Sequence, residues 1–173
     1  MENKPVYNRT GLILRAVEPE DVDFMLECEK VDDTALWSDY RAPLSRNQLL
    51  TYALTYDADP FSAGQLRLIA ENDRGTSVGM IDLYGISERD RRAFVGITIH
   101  PDFRNLGYAV MALEELSKIS KDRLGLNQLA AKVSTANKKA LRLFPKAGFT
   151  QRALLPKWHR IGQDFHDFVL FTR

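Results

Sequence analysis

The chain has 173 residues and 19.7 kDa, with 45% hydrophobic and 27% charged residues, which fits one compact globular domain spanning 1–173. This composition excludes a collagen-like repeat, a disordered tail and a disulfide scaffold, and the sequence has no run of 18 apolar residues to cross a membrane. The net charge of +1 argues against a nucleic-acid binder, and the lone Cys28 and a Met1–Pro5 start without an apolar signal core make a reducing cytoplasm the expected compartment.

Leu12–Ala16 reads as a first strand. Pro19-Glu20-Asp21 then opens a helix with acids in its first turn, where the helix dipole favours them, and Phe24, Met25 and Cys28 follow at helical spacing toward a core. The stretch from Glu18 to Asp39 holds nine carboxylates against one cation, Lys30. Ser45 is placed to cap a second helix carrying Leu49, Leu50, Ala53 and Leu54. Three strands are expected at Leu66–Glu71, Val78–Tyr84 and Ala93–Ile99, the first two joined by the turn residues Asn72-Asp73-Arg74-Gly75. From Gly107 to Leu124 the pattern is helical, with Val110, Leu113 and Leu116 inward, Glu114, Glu115, Lys118 and Lys121 outward, and Gly125 as the C-terminal cap. A strand at Leu129–Val133, a helix at Lys138–Ala147 ended by Gly148, and a hairpin of Phe149–Leu155 with Phe165–Phe171 complete the chain. The whole predicts an α/β (α+β) domain with its core at about 12–171, built on a central, mostly antiparallel twisted sheet flanked by about four helices.

Residues 137–163 contain no Asp or Glu but carry Lys138, Lys139, Arg142, Lys146, Arg152, Lys157 and Arg160. The acidic first half and basic second half are either two solvated surfaces or the marks of two unlike ligands, one cationic and one anionic. One segment is more specific. Val95–Ala109 reads as strand, short turn and helix, with Arg104-x-x-Gly107-x-Ala109 at the junction. A helix N-terminus offers free amide N–H groups to an anion, and small residues let the backbone approach a pyrophosphate. No Walker lysine, G-x-G-x-x-G, metal-ligand spacing around His159 or His166, or hydrolase triad is present, so no metal is expected.

This turn resembles the pyrophosphate loop of the GNAT superfamily, the acetyl-CoA-dependent N-acetyltransferases. Asn137-x-x-Ala140-x-x-Leu143-Phe144-x-Lys146-x-Gly148-Phe149 is similar to that family's late helix, and Trp158–Phe165 is like the hairpin of its spermidine and ribosomal-protein acetyltransferase branch. The resemblance implies a single GNAT-like domain. It implies that the backbone of Arg104, Asn105, Leu106, Gly107, Tyr108 and Ala109 holds the pyrophosphate of acetyl-CoA. It further implies that Ile97, Thr98 and Ile99 make strand-like bonds to the pantetheine, with the Ile99 N–H polarising the acetyl carbonyl. By the same resemblance Asn137 bonds the pantetheine arm, and Lys138, Lys139 and Arg142 meet the remaining phosphates. Phe144 stands where many relatives have a proton-donating tyrosine; a phenyl ring cannot donate.

The acceptor amine must lose a proton before attack. Asp82, among the apolar Met80, Ile81 and Leu83, is either the base or an outward-facing residue of an alternating strand. His100 is the other candidate, or simply a strand-end residue before Pro101. The resemblance puts the acidic stretch on the acceptor side, where Trp37, Asp39 and Tyr40 form a group suited to a cation, although the core is the commoner place for a tryptophan such as Trp37. The expected activity is acetyl transfer to a small cationic amine such as a polyamine. The alternatives are acetylation of protein N-termini and acetyl-CoA binding without turnover. A homodimer is compatible with the resemblance, and neither nucleic acid nor membrane is expected as a partner.

Overall fold

The computed structural model describes residues 11–30, 44–56 and 59–173. Seven strands form one sheet: β1 (Leu12–Ala16), β2 (Gln65–Asn72), β3 (Ser77–Ser87), β4 (Arg92–Ile99), β5 (Gln128–Ser134), β6 (Thr150–Ile161) and β7 (Asp164–Thr172). Their spatial order is β1-β2-β3-β4-β5-β7-β6, so the last strand in sequence lies between β5 and β6. All neighbours are antiparallel except β4 and β5. A helical crossover between two strands makes the parallel pair, because a short turn can only reverse the chain.

Among the described residues the α-helices are α1 (Val22–Glu29), α2 (Arg46–Thr55), α3 (Pro60–Ala63), α4 (Tyr108–Asp122) and α5 (Lys138–Lys146). The single turn α3 is the element that the sequence reading lacks. Asp59 caps it through the Phe61 amide. Ser45 caps α2 as expected, in a reciprocal box with Gln48. Leu54 of that helix, however, is 64% exposed, and only Leu49 is buried.

Alternation divides the sheet residues between two cores. Ile81, Leu83, Val95 and Ile99 pack with Leu113 and Leu116 of α4, while Ile69 and Met80 on the opposite face pack with Val22, Met25 and Cys28 of α1 and Leu49 of α2. The sheet thus has α1 and α2 on one side and α4 and α5 on the other. Arg15 on β1 fastens α1 to the sheet. Its guanidinium donates to both carboxyl oxygens of the buried Asp21, at 2.7 and 2.8 Å, and to Glu71 at 2.6 Å.

The terminal hairpin is longer than its sequence suggests. β6 continues through Pro156 to Ile161 and turns at Gly162-Gln163. A bulge between Leu155 and His159 absorbs the proline and a left-handed Lys157, whose amide donates to the Asp167 carboxylate at 2.8 Å. An edge strand tolerates this, since the lost ladder bond faces no partner. No helix among the described residues is long and apolar enough to cross a membrane.

Candidate active site

The site begins where the sheet opens. β4 and β5 pair only at Arg92–Phe94 with Gln128–Ala130. Beyond that β5 pairs with β7 up to Ser134, while β4 runs on to Ile99 against β3 alone. The facing edges of the two strands therefore diverge.

The register settles which amides face the opening. His100 donates its N–H to Val78 at 3.0 Å, so alternate residues back along β4 bond to β3 and those between them turn away. Ile97 and Ile99 present their backbone groups to the opening. Thr98, grouped with them in the sequence reading, directs its backbone to β3 and brings only its side chain to the α1 face. The Ile99 carbonyl accepts Arg104 Nε at 3.0 Å, which leaves its N–H as the group aimed outward.

The chain then folds into a shallow concavity. His100 caps a 3-10 turn at Pro101–Phe103 by accepting the Asp102 amide on Nδ1. Asn105 at φ 63° and Gly107 at φ 89° are both left-handed, and Gly107 is the N-cap of α4. Such alternation turns successive N–H groups to one side, and the first turn of a helix adds amides for which it offers no carbonyl of its own. Nothing lies within 4 Å of where a Gly107 Cβ would stand, so the space before the turn is open. Arg104, Asn105, Leu106, Gly107, Tyr108 and Ala109 thus frame one concave turn, a cradle with the geometry to take an anion, continuous with the open edge of β4.

Across the opening, β5 ends at Ser134 and α5 begins. The Asn137 side-chain oxygen accepts the Ala140 amide at 3.0 Å as the helix cap, which leaves the carboxamide NH2 to donate elsewhere. Lys138, Lys139 and Arg142 are exposed along this helix, and Lys138 Nζ also donates to the Thr135 carbonyl at 2.7 Å. Phe144 is different. It is 4% exposed, stacked on Phe171 at 5.8 Å and edge-on to Phe149 at 5.1 Å. Its ring is part of the core beneath α5.

On the α1 face, Asp82 stands opposite Arg67 on one side and Gly96 on the other. Arg67 grips both its oxygens, at 2.7 and 3.1 Å, and also lies 3.7 Å from Glu29 at the end of α1. Burial pushes the Glu29 carboxyl up; Arg67 opposes this and Asp82 adds to it. His100 sits between Phe24 and Phe103, with Nε2 3.9 Å from Glu27 and Nδ1 given to the Asp102 amide. That contact occupies Nδ1 and leaves Nε2 on the Glu27 side. Asp82 lies three residues from Ile99 along the ladder, about 10 Å, a span that water must bridge. Trp37, Asp39 and Tyr40 lie outside the described residues.

Arg67 and Lys132 carry no signal in the sequence, and Glu29 stands out there only as one carboxylate of the acidic 18–39 stretch. Lys132 faces the same side of β5, its Nζ 5.1 Å above the Phe94 ring. A lone arginine in a strand and one glutamate in an acidic run carry no spacing signal, and only register brings them together. Cys28 is wholly buried, and burial pushes its thiol up to about 12, so it supplies no thiolate nucleophile. Among the described residues no His, Cys, Asp and Glu group could hold a metal ion.

The acetyltransferase (GNAT) domain profile matches residues 11–150, most of the chain. This chain belongs to the GNAT acetyltransferase family. It is an acetyl-CoA-dependent N-acetyltransferase. Relatives span nearly the same length. The chain is 24% identical over 155 residues to "Uncharacterized N-acetyltransferase YoaA" of Bacillus subtilis, covering 89% of this chain and 88% of that one. It is 26% identical over 157 residues to the spermidine N(1)-acetyltransferase of Escherichia coli K12, covering 91% and 77%. Among solved structures, spermidine N-acetyltransferase from Vibrio cholerae in complex with CoA and spermine superposes with a TM-score of 0.82, at 22% identity and 94% coverage of both chains. A dodecameric form of the Vibrio cholerae enzyme gives 0.76, at 23% identity and coverage of 94% and 92%. These structural likenesses establish the fold of this GNAT member.

Proposed function

We propose that this acetyltransferase moves the acetyl group of acetyl-CoA directly to the primary amine of a small cationic acceptor of the polyamine class. The observation that carries this is an open strand edge with outward amides at Ile97 and Ile99, flanked on the α1 face of the sheet by a carboxylate-rich group at Gly96 of the same strand. The spermidine acetyltransferase relatives point the same way.

In this reading the pyrophosphate rests on the amides of Asn105–Ala109, and the pantetheine lies along Ile97 and Ile99 with Asn137 donating from the other wall. Lys139 and Arg142 face the remaining phosphate. The amine lone pair attacks the thioester carbonyl carbon while its oxygen, gaining charge, meets the Ile99 N–H. The C–S bond then breaks, its electron pair leaves with the CoA thiolate, and the amine's proton passes through water to the Asp82 side of the cleft. With Cys28 inert, transfer proceeds in one ternary complex. Phe144 gives the thiolate no proton; a thiol of pKa ~8.5 leaves tolerably near neutral pH and is protonated by solvent.

The same Phe144 favours a second reading, acetyl-CoA binding without turnover. CoA thiol release, measured against spermidine, spermine, short diamines and Ala- or Ser-starting peptides, separates the two when run beside calorimetry with acetyl-CoA. Saturable release with the polyamines is the expected result. Release with the peptides alone would make it a protein N-terminal acetyltransferase, and tight binding without release from any amine would make it a sensor.

A further inference from the structure

Arg67, Asp82 and Glu29 come from β2, β3 and α1 and share a single guanidinium between two carboxylates. All are largely withdrawn from water, with side chains 12%, 26% and 13% exposed respectively. The Tyr52 ring of α2 lies under the guanidinium, 5.9 Å from its Cζ. Arg67 spends its Nε and one terminal nitrogen on Asp82. The other terminal nitrogen meets Glu29 at a looser 3.7 Å.

A purely structural ion pair would need only Asp82. Glu29 makes the group negative, and it does so as the last residue of α1, where the helix dipole disfavours a carboxylate. The nearby Lys132 is held over the Phe94 ring and makes no ion pair with Glu29 or Asp82 among the described residues, and a buried charge left in excess is costly unless something of opposite sign comes to it. The group also has an outlet. Its front, the Asp82 carboxylate, hangs over Gly96 of the open strand, and a Cβ there would lie 3.7 Å from Asp82 Oδ2 and 3.8 Å from Tyr84. Glycine leaves that oxygen approachable from the cleft.

We propose that Glu29 is a positioning residue for the acceptor: acting through Arg67, it leaves the Glu29–Arg67–Asp82 group one net negative charge, and that charge seats a second, non-reacting ammonium of the acceptor over Gly96. This rests on the reading of the acceptor as a cationic amine, and sharpens it. The acceptor carries its ammonium without a neighbouring carboxylate, because a carboxylate would meet the same negative group.

The test compares wild type with Glu29→Gln and Glu29→Asp, using the polyamine that gives the greatest thiol release. Glu29→Gln removes a unit charge from the group that holds the ammonium and is expected to raise the amine KM about tenfold. The acetyl-CoA KM and kcat stay near wild type, because binding of the other substrate and the chemistry are untouched. Glu29→Asp, keeping the charge, returns the amine KM toward wild type, and added salt narrows the gap between wild type and Glu29→Gln. The preference for a diamine over an amino acid acceptor falls in Glu29→Gln. An unchanged amine KM, or a rise in both substrates' KM together as a loosened fold would give, overturns the proposal while the acetyltransferase reading stands. A wild type that releases thiol with no amine overturns both.

Discussion

Gly107 holds φ at 89°, a region that an L side chain enters only with strain of about 1–2 kcal/mol. Gly64, at φ 68° and likewise with nothing within 4 Å of where its Cβ would stand, is under the same backbone constraint at the end of α3, away from the cradle. The two glycines therefore separate strain from ligand approach. Gly107→Ala and Gly64→Ala are both expected to lower Tm by a few degrees, since about 1 kcal/mol moves the midpoint of a domain this size by roughly 2–4 °C. Only Gly107→Ala should also weaken acetyl-CoA binding in calorimetry, by about tenfold or more, because its methyl occupies the space a pyrophosphate must enter. Equal affinities in the two variants would remove the cradle from the cofactor site. Residues of this kind are legible in a sequence: a glycine after a strand and before a strongly periodic helix announces itself locally. Phe144 is the opposite case. Its place in the motif suggests a role at the sulfur, while its surroundings, Phe149 and Phe171, come from the next turn and the last strand and make it core.

Among the elements, α5 is fixed by its cap. Asn137 has one observed duty and one proposed, which chemistry can divide, since its oxygen accepts the Ala140 amide while its nitrogen is left to donate elsewhere. Asn137→Ala should cost about 1 kcal/mol of stability and also weaken acetyl-CoA binding. Asn137→Asp retains a capping oxygen but has no N–H to donate, so thermal melting should show a near wild-type Tm while calorimetry shows lost affinity. If Asn137→Asp binds acetyl-CoA as wild type does, the residue is a cap and nothing more. The helix itself is readable, 138–147 in the sequence against Lys138–Lys146 in the structure, because its cap and its terminal glycine are local signals. The full length of β6 is not. Pro156 and the left-handed Lys157 look like the end of a strand, and only pairing with β7 carries the strand through them to Ile161.

Across the molecule, ion groups at different depths stitch α1 to the sheet, and they respond to pH in opposite senses. For Asp21, burial works to raise the carboxyl, but the Arg15 guanidinium and the Glu18 amide together hold it below its ordinary value of 3.8. Its stabilisation is therefore complete above about pH 4 and is lost as pH falls through the depressed folded value. For Glu29, burial dominates and the folded value lies above 4.5, so its charged form destabilises the fold increasingly as pH rises through that value. Melting curves of wild type, Asp21→Asn and Glu29→Gln across pH 3–8 read both. At neutral pH, Asp21→Asn should lose about 3 kcal/mol, as expected when one partner of a buried pair is removed, and the deficit should shrink below about pH 4. Glu29→Gln should gain on wild type as pH rises from about 4.5, and parallel curves for the three proteins would show that neither carboxylate is perturbed by the fold.

Elements with local signals could be placed from the order of residues alone. These are the first strand, the amphipathic α4 with inward Leu113 and Leu116, the capped α2 and α5, and the glycine turn with the family it resembles. Each depends on residues within one or two helical turns, where periodicity and capping chemistry act. The site itself came from the folded chain. The parting of β4 from β5 depends on β7 pairing with the far side of β5, and the Glu29–Arg67–Asp82 group depends on the register of two ladders and the end of a helix. Those contacts join residues tens of positions apart, and no local pattern encodes them, because burial and pairing exist only once the chain has closed on itself.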